Sequence, residues 1–342
     1  MTNYPYSGKG FEGWHAATKR FSTDQLLAMF YSMLRIRRIE EAIEARYHED
    51  EMKTPIHLVI GQEATSVGVC TALRDTDLLY TGHRTHGAYL AKGGDLKAML
   101  SELYCRANGC VGSRGGSMHL LDKSVGMAGS SAIVAGSVPL ATGAALTAKI
   151  RNESWLSCCF FGDAATEEGA VWESLNFAAL KKLPAVYICE NNYFSVCTPL
   201  EERQPAGIEM YKKAESFGVN SVVVDGTNVL AVYEEMLSAV DLARNRQGPT
   251  FIESRAYRWR GHGGAGDDSA SGYRSPEDVS CWKRHCPIKS YEKFLMENDV
   301  LNNTEKLLME KKVAEEIENA FDYAINSTNP LEADLYTHVY CE

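Results

Sequence analysis

Between residues 23 and 48 the apolar side chains recur at helical spacing, with Leu26, Met29, Phe30, Met33 and Leu34 on one face. Ser22 or Thr23 stands where an N-cap belongs, so the stretch predicts a long helix. From about 106 to 144 the pattern breaks up, and Gly, Ala and Ser dominate "GCVGSRGGSMH" and "GMAGSSAIVAGSVPLATGAAL". Such residues let the backbone approach a neighbour closely. Met118, Ile133, Val134 and Pro139 within the stretch predict an ordered surface rather than a free linker. Alternation follows: WLSCCFF, an acidic-started helix to Lys182, PAVYICE, a loop, SVVVDG, a helix from about Asn228 to Arg246, and PTFIESRAYRW. Strand alternating with helix is the pattern of an α/β protein with a parallel sheet and helical crossovers. After Pro276 the sequence is helical and charged to roughly residue 326. The expected organisation is an N-terminal helical arm over 1–50, an α/β domain over 51–275 and a C-terminal helical segment over 276–342.

Composition narrows the function. The chain has 342 residues, 45% of them hydrophobic, and a net charge of −10, which argues against a nucleic-acid partner because phosphate backbones are met by basic faces. Its beginning, MTNYPYSGKGFEGWH, has neither an apolar secretory core nor an Arg-rich targeting pattern, and no stretch of eighteen apolar residues occurs. A cytoplasmic protein with no membrane partner is expected. Ten cysteines with no C-x-x-C pair read as buried free thiols, although Cys105 and Cys110 lie near each other.

Candidate chemistry concentrates where "FFGDAATEEG" ends a strand. The strands ending near Phe161 and Glu190 are joined by one helix, so a right-handed crossover puts both carboxyl ends on one sheet edge. Asp163 and the pair Asn191 and Asn192 then lie close together, on the edge where open α/β sheets bind ligands. A helix starting at about Glu167 would aim its free N–H groups at the same place. One carboxylate, one amide oxygen and one backbone carbonyl suit Mg²⁺ completed by phosphate and water. The same residues serve equally well as a helix cap and a chain turn, and spacing leaves both open.

"GDAATEEG" followed by "ENN", with Asp163 and Asn192 29 positions apart, resembles the thiamin-diphosphate binding motif. In order along the chain, "HLVIGQEA", "HRTHG", "GGSMH", "IVAGSVPLATG", "WESLNFAALKKLP" and "RWRGHGG" are similar to segments of the alpha subunit of 2-oxo acid dehydrogenases, among them the pyruvate, branched-chain and acetoin enzymes. The resemblance spans roughly residues 20–290. It implies a thiamin-diphosphate-binding fold, a mostly parallel sheet flanked by helices with helical N- and C-terminal extensions. It further implies that Asp163, Asn192 and the carbonyl of Phe194 hold Mg²⁺, with Ser195 beside it. Arg84 would grip the diphosphate as a forked donor, with Ala164 and Ala165 in the turn that meets it. The resemblance also makes His83, which stands where the family often has Tyr, and His262 cofactor-binding residues. Ala132 and Val134 would meet the aminopyrimidine, and His86 and His262 would be the active-site histidines, able to donate to an oxyanion or pass a proton. His119 reads as structural or as a support behind the site, and the resemblance gives Glu63 a packing and substrate-side position rather than that of a general base.

Two departures from the family stand out. Ala164 replaces the second glycine of Gly-Asp-Gly, and "GGAGDDSASGYR" follows His262 where pyruvate enzymes have Ser-Met-Ser-Asp-Pro, with Arg260 in place of a histidine. Ser269 and Ser271 lie in that loop without a mark of modification. The resemblance places the glutamate that serves the aminopyrimidine on another polypeptide, a beta subunit, so an α₂β₂ assembly is expected. The expected reaction is decarboxylation of a 2-oxo acid, pyruvate first among them, with transfer of the acyl group to the lipoyl group of an acyltransferase. The alternatives are a carboligase or non-oxidative decarboxylase with the same cofactor, an acetoin-cleaving dehydrogenase, and a non-catalytic scaffold. A nucleotide-binding dehydrogenase is disfavoured, since no G-x-G-x-x-G follows a strand and no G-x-x-x-x-G-K-[ST] occurs.

Overall fold

The computed structural model describes residues 18–337, 339 and 340. The N-terminal stretch read for targeting, the first part of the expected arm and the last residues of the tail lie outside the described residues. Helix α1, Thr23–Arg46, is fixed at its start by a reciprocal capping box in which Gln25 N donates to Ser22 Oγ at 3.2 Å and Ser22 N donates to Gln25 Oε1 at 3.0 Å. In chain order there follow α2 (Glu63–Thr71), β1 (Leu78–Thr81), α3 (His86–Ala91), α4 (Leu96–Leu103), β2 (Met127–Ser130), α5 (Ser137–Ile150), β3 (Ser157–Gly162), α6 (Gly169–Lys181) and β4 (Ala185–Asn191). The short pair β5 (Phe194–Ser195) and β6 (Thr198–Pro199) precedes α7 (Leu200–Arg203), α8 (Met210–Glu215), β7 (Asn220–Asp225), α9 (Val229–Arg244) and β8 (Thr250–Arg255). Three helices close the chain, α10 (Pro276–Arg284), α11 (Pro287–Glu297) and α12 (Asn303–Ile325).

Six strands form one parallel sheet in the order β2-β1-β3-β4-β8-β7. Its strands alternate faces residue by residue. In β3, Cys158 and Phe160 join the core built with α1, α11 and α12, while Cys159 and Phe161 join the one built with α5 and α6. The terminal helices thus share the main core: Phe30, Tyr291 and Phe321 are all fully buried in it. Connections run outward from β1 to β2 and, in the other direction, from β3 to β4, so a topological switch lies between neighbours β1 and β3.

Buried carboxylates tie down what sheet and helix do not. Glu102, on α4, accepts four backbone N–H groups from the glycine-rich stretch, Val111 at 3.1 Å, Ser113 at 2.8 Å, Gly115 at 2.8 Å and Gly116 at 3.0 Å. The ordered surface expected there exists because one acid organises it. The helix expected from about Glu167 starts instead at Gly169, since residues Asp163–Glu167 form a 3₁₀ turn. Among the described residues the cysteines, Cys105 and Cys110 included, are free thiols, and no helix is long and apolar enough to cross a membrane.

Candidate active site

A cavity of about 220 Å³ opens at the carboxyl edge of the sheet. Its walls come from the segments that leave β1 (Gly82, His83, Arg84), β2 (Ala132, Ile133, Val134), β3 (Asp163, Ala164, Ala165) and β4 (Asn192, Phe194, Ser195), joined by His57 and His262. All expected site residues except His86 line it. A larger cavity, about 400 Å³, lies behind Phe194, and Phe194 is the one expected residue on its wall.

The floor is a set of hard oxygen donors. Asp163 is 1% exposed, and its Oδ1 accepts the Asn192 backbone N–H at 3.3 Å. Asn192 Oδ1 in turn accepts the Phe194 N–H at 3.3 Å, which turns the chain and brings Phe194 into the same cavity wall. Burial raises the Asp163 carboxyl to about 6, with Arg203 opposing that shift. Arg203, on α7, bridges Asp163 Oδ2 and Glu167, and sequence reading missed it, because α7 returns to the floor through a loop with no spacing rule. A cation that ligates Asp163 meets Arg203 there.

Arg84 lies in the wall between floor and histidines. It donates to the backbone carbonyls of Leu58 and His262, and none of the ion pairs among the described residues includes it. Burial, then the nearby Arg258 charge, lowers it to about 10, so it stays cationic at neutral pH and offers a charge to an incoming anion. Beneath it Glu190 is buried with one carboxylate oxygen lacking a hydrogen bond, and burial raises it to about 7. A Cβ built on Gly162 would meet nothing within 4 Å, which leaves room above the floor. A carboxylate, an amide oxygen, an arginine with no carboxylate partner and open space fit a metal-bound diphosphate.

The opposite wall holds three imidazoles. His57, His83 and His262 have ring centroids 4.8, 5.1 and 5.2 Å apart. Burial first and Arg84 second depress all three, His57 to about 3, His83 to about 2 and His262 to about 4, so each is neutral at pH 7. His57 was not singled out from the sequence. It reaches the site because residues 56–61 run beside 257–264, with Trp259 N donating to Ile60 O at 2.9 Å and Gly264 N to Ile56 O at 2.8 Å. Gly61 permits that approach: its φ is +101°, and a Cβ there would sit 2.4 Å from the Tyr257 carbonyl.

His86 stands behind the wall, away from the cavity the sequence reading gave it. It is fully buried, with Nδ1 2.6 Å from Glu40 Oε1 and Nε2 2.8 Å from Ser117 Oγ. Both ring nitrogens are engaged, so it positions the segment around Ser117. His119 ties two segments together: its Nδ1 donates to Gly115 O at 3.0 Å and its Nε2 accepts the Ala132 N–H at 3.3 Å. Glu63 is fully buried against Arg37, 2.6 Å away. Arg260 turns outward to Glu44, at 2.6 Å. Asp268, in the loop after His262, accepts Arg274 at 2.6 Å.

Comparison with known proteins follows this geometry. The model of the family described as "Dehydrogenase E1 component" matches residues 31–332. The chain is 36% identical over 318 residues to the alpha subunit of acetoin:2,6-dichlorophenolindophenol oxidoreductase of Bacillus subtilis (strain 168), covering 93% of this chain and 94% of that protein. It is 35% identical over 317 residues to the pyruvate dehydrogenase E1 component subunit alpha of Rickettsia bellii (strain RML369-C), covering 93% and 96%. The same subunit of Porphyra purpurea is 34% identical over 325 residues, covering 93% of each chain. With its family model matching residues 31–332 and these relatives aligned over 93% of its length, the chain belongs to the dehydrogenase E1 component family.

Proposed function

We propose that this chain is the diphosphate-binding alpha subunit of a thiamin-diphosphate-dependent 2-oxo acid dehydrogenase, with pyruvate as its first candidate substrate. The observation that carries the reading is the meeting of Asp163 and Asn192 at 3.3 Å on the floor of a cavity that also holds Arg84. Asp163, Asn192 and the Phe194 carbonyl would hold Mg²⁺, with Ser195 beside them, and Arg84, Ala164 and Ala165 would hold the diphosphate. Ala132 and Val134 flank the aminopyrimidine. Bound there, thiamin diphosphate supplies the electron sink for loss of CO₂ from a 2-oxo acid.

The protein's own groups supply the rest. His262, His57 and His83 face the substrate side as neutral imidazoles, each able to donate one N–H to a developing oxyanion. His86 holds the wall through Ser117. The cavity mouth carries exposed apolar side chains, Ile133 at 74%, Val134 at 52% and Val196 at 50%. Such a patch suits a partner subunit that closes the mouth and brings the aminopyrimidine glutamate, in an α₂β₂ assembly. Glu63, tied to Arg37, does not serve that role. A lipoyl acyltransferase receives the acyl group.

A second reading, cleavage of acetoin, is favoured by the relative named for acetoin:2,6-dichlorophenolindophenol oxidoreductase. One experiment separates them: co-purify the chain with its beta subunit, load thiamin diphosphate and Mg²⁺, and assay a panel of 2-oxo acids and acetoin with an artificial electron acceptor. Turnover of a 2-oxo acid supports the first reading and turnover of acetoin alone the second. No thiamin diphosphate binding by calorimetry overturns both.

A further inference from the structure

We propose that His57, His83 and His262 form a binding site for a transition-metal ion, zinc first, distinct from the oxygen-ligand floor at Asp163. Each offers one ring nitrogen, and these nitrogens lie within 4.8 Å of one another. Bonds of about 2.0–2.1 Å to zinc require nitrogens about 3.4 Å apart in a tetrahedron, so closure needs side-chain shifts of about 1 Å. The cavity in front of the three rings leaves the fourth position open to water or a ligand carboxylate.

An independent observation marks His57 as a ligand in waiting: the residue is 8% exposed, and its Nδ1 has no hydrogen-bond partner. Buried ring nitrogens normally find one. A Cβ at Gly263 would come within 3.2 Å of His57 Nε2, so glycine there keeps the ring accessible. The three imidazoles are neutral at pH 7, so no proton has to leave before metal binds. Imidazole selects zinc, copper and nickel, whereas carboxylate and carbonyl oxygens select magnesium and calcium. One cavity therefore carries two cation sites of different chemistry. Arg84 beside the rings, and Arg258 near His83 and His262, repel a cation and weaken the site.

Metal binding stands without the proposed reaction. Its consequence rests on that reaction: a zinc ion on these rings occupies the substrate wall, so zinc inhibits the enzyme and a chelator restores it.

The test uses the full-length chain stripped with chelator, without thiamin diphosphate, and titrated with Co²⁺ as a spectroscopic probe. The expected result is one equivalent of bound cobalt with the visible absorption of a tetrahedral site, displaced by Zn²⁺. His83→Gln and His262→Gln should each weaken binding at least tenfold, while Asp163→Ala keeps it; thermal melts confirm that the variants fold. Absence of the spectrum, retention in both histidine variants, loss in Asp163→Ala, or a thiolate charge-transfer band from the exposed Cys197 would each overturn the site. Zinc that binds without slowing decarboxylation by the assembled enzyme would overturn only the inhibitory consequence.

Discussion

At one end of the cavity Asp163 is paired: one carboxylate oxygen accepts the Asn192 N–H and the other meets Arg203. At the other end His57 is buried with a ring nitrogen unpartnered, and three neutral imidazoles crowd within 5.2 Å of one another. The floor comes from the ends of two adjacent strands in a fixed register, with Gly162 opposite Glu190. The wall is gathered from loops near residues 57, 83 and 262, held together by backbone contacts between the first and last. At the floor the strand ends satisfy Asp163 and leave Glu190 Oε1 without a partner beneath Arg84, while in the wall the loops leave His57 Nδ1 without one.

The largest effect separating the two ends is expected from Asp163→Ala. Removing the carboxylate takes away the metal bridge to the diphosphate, worth several kcal/mol, so calorimetry should show thiamin diphosphate affinity with Mg²⁺ falling by about 1000-fold. Arg203 keeps Glu167 as a partner in that variant, so the fold should hold. Unchanged affinity in the assembled protein would move the cofactor off this floor.

His262→Ala should act on the other end alone. Loss of one positioned donor predicts a drop in turnover of about 100-fold, with cofactor affinity within a few fold of wild type. A matched loss of cofactor affinity would erase the distinction between wall and floor.

The floor was legible in the sequence because its signal is local. A strand end, a crossover of typical length and a second strand end fix Asp163 against Asn192 without knowledge of anything else. The parallel sheet and the helices α1 and α9 were legible for the same reason, their periodicities being strong. Strands β1 and β2, four residues each, were too short to stand out between helices and glycines. His57 and Arg203 were hidden because tertiary contacts alone place them, through the strip of backbone bonds around Gly61 and the return of α7. His86 was read as an active-site histidine from the family resemblance alone, and its contacts with Glu40 and Ser117, which engage both of its nitrogens, come from elements distant in sequence that no local pattern shows.

Arg203→Gln probes how far the floor depends on its pairing. The substitution removes a charged hydrogen bond from a buried carboxylate, for a loss of roughly 2 kcal/mol in stability. Mg²⁺ should then raise the melting temperature of the variant more than that of the wild type, because the ion takes over the charge that Arg203 supplied. Equal stabilisation of both proteins by Mg²⁺ would show that Arg203 and the ion do not share Asp163.

The smallest effect concerns acid stability, where floor-side and wall-side groups pull in opposite directions. Burial, then Arg84, lowers His83 from 6.5 to about 2. Its stabilisation is fully present above pH 6.5 and is lost as pH falls, since the unfolded chain takes up a proton that the folded chain refuses. Glu190 is raised from 4.5 to about 7 by burial, with Arg84 opposing. Its contribution is fully present below pH 4.5 and is lost as pH rises through 7. Between pH 4.5 and 6.5 the two slopes therefore oppose each other, each limited to about 1.4 kcal/mol per pH unit for one proton. Urea unfolding across that window should show His83→Gln flattening the loss of stability with falling pH and Glu190→Gln steepening it. If both variants changed the slope in the same direction, the wall and the region under Arg84 would share one electrostatic environment, and the contrast between them would rest on geometry alone.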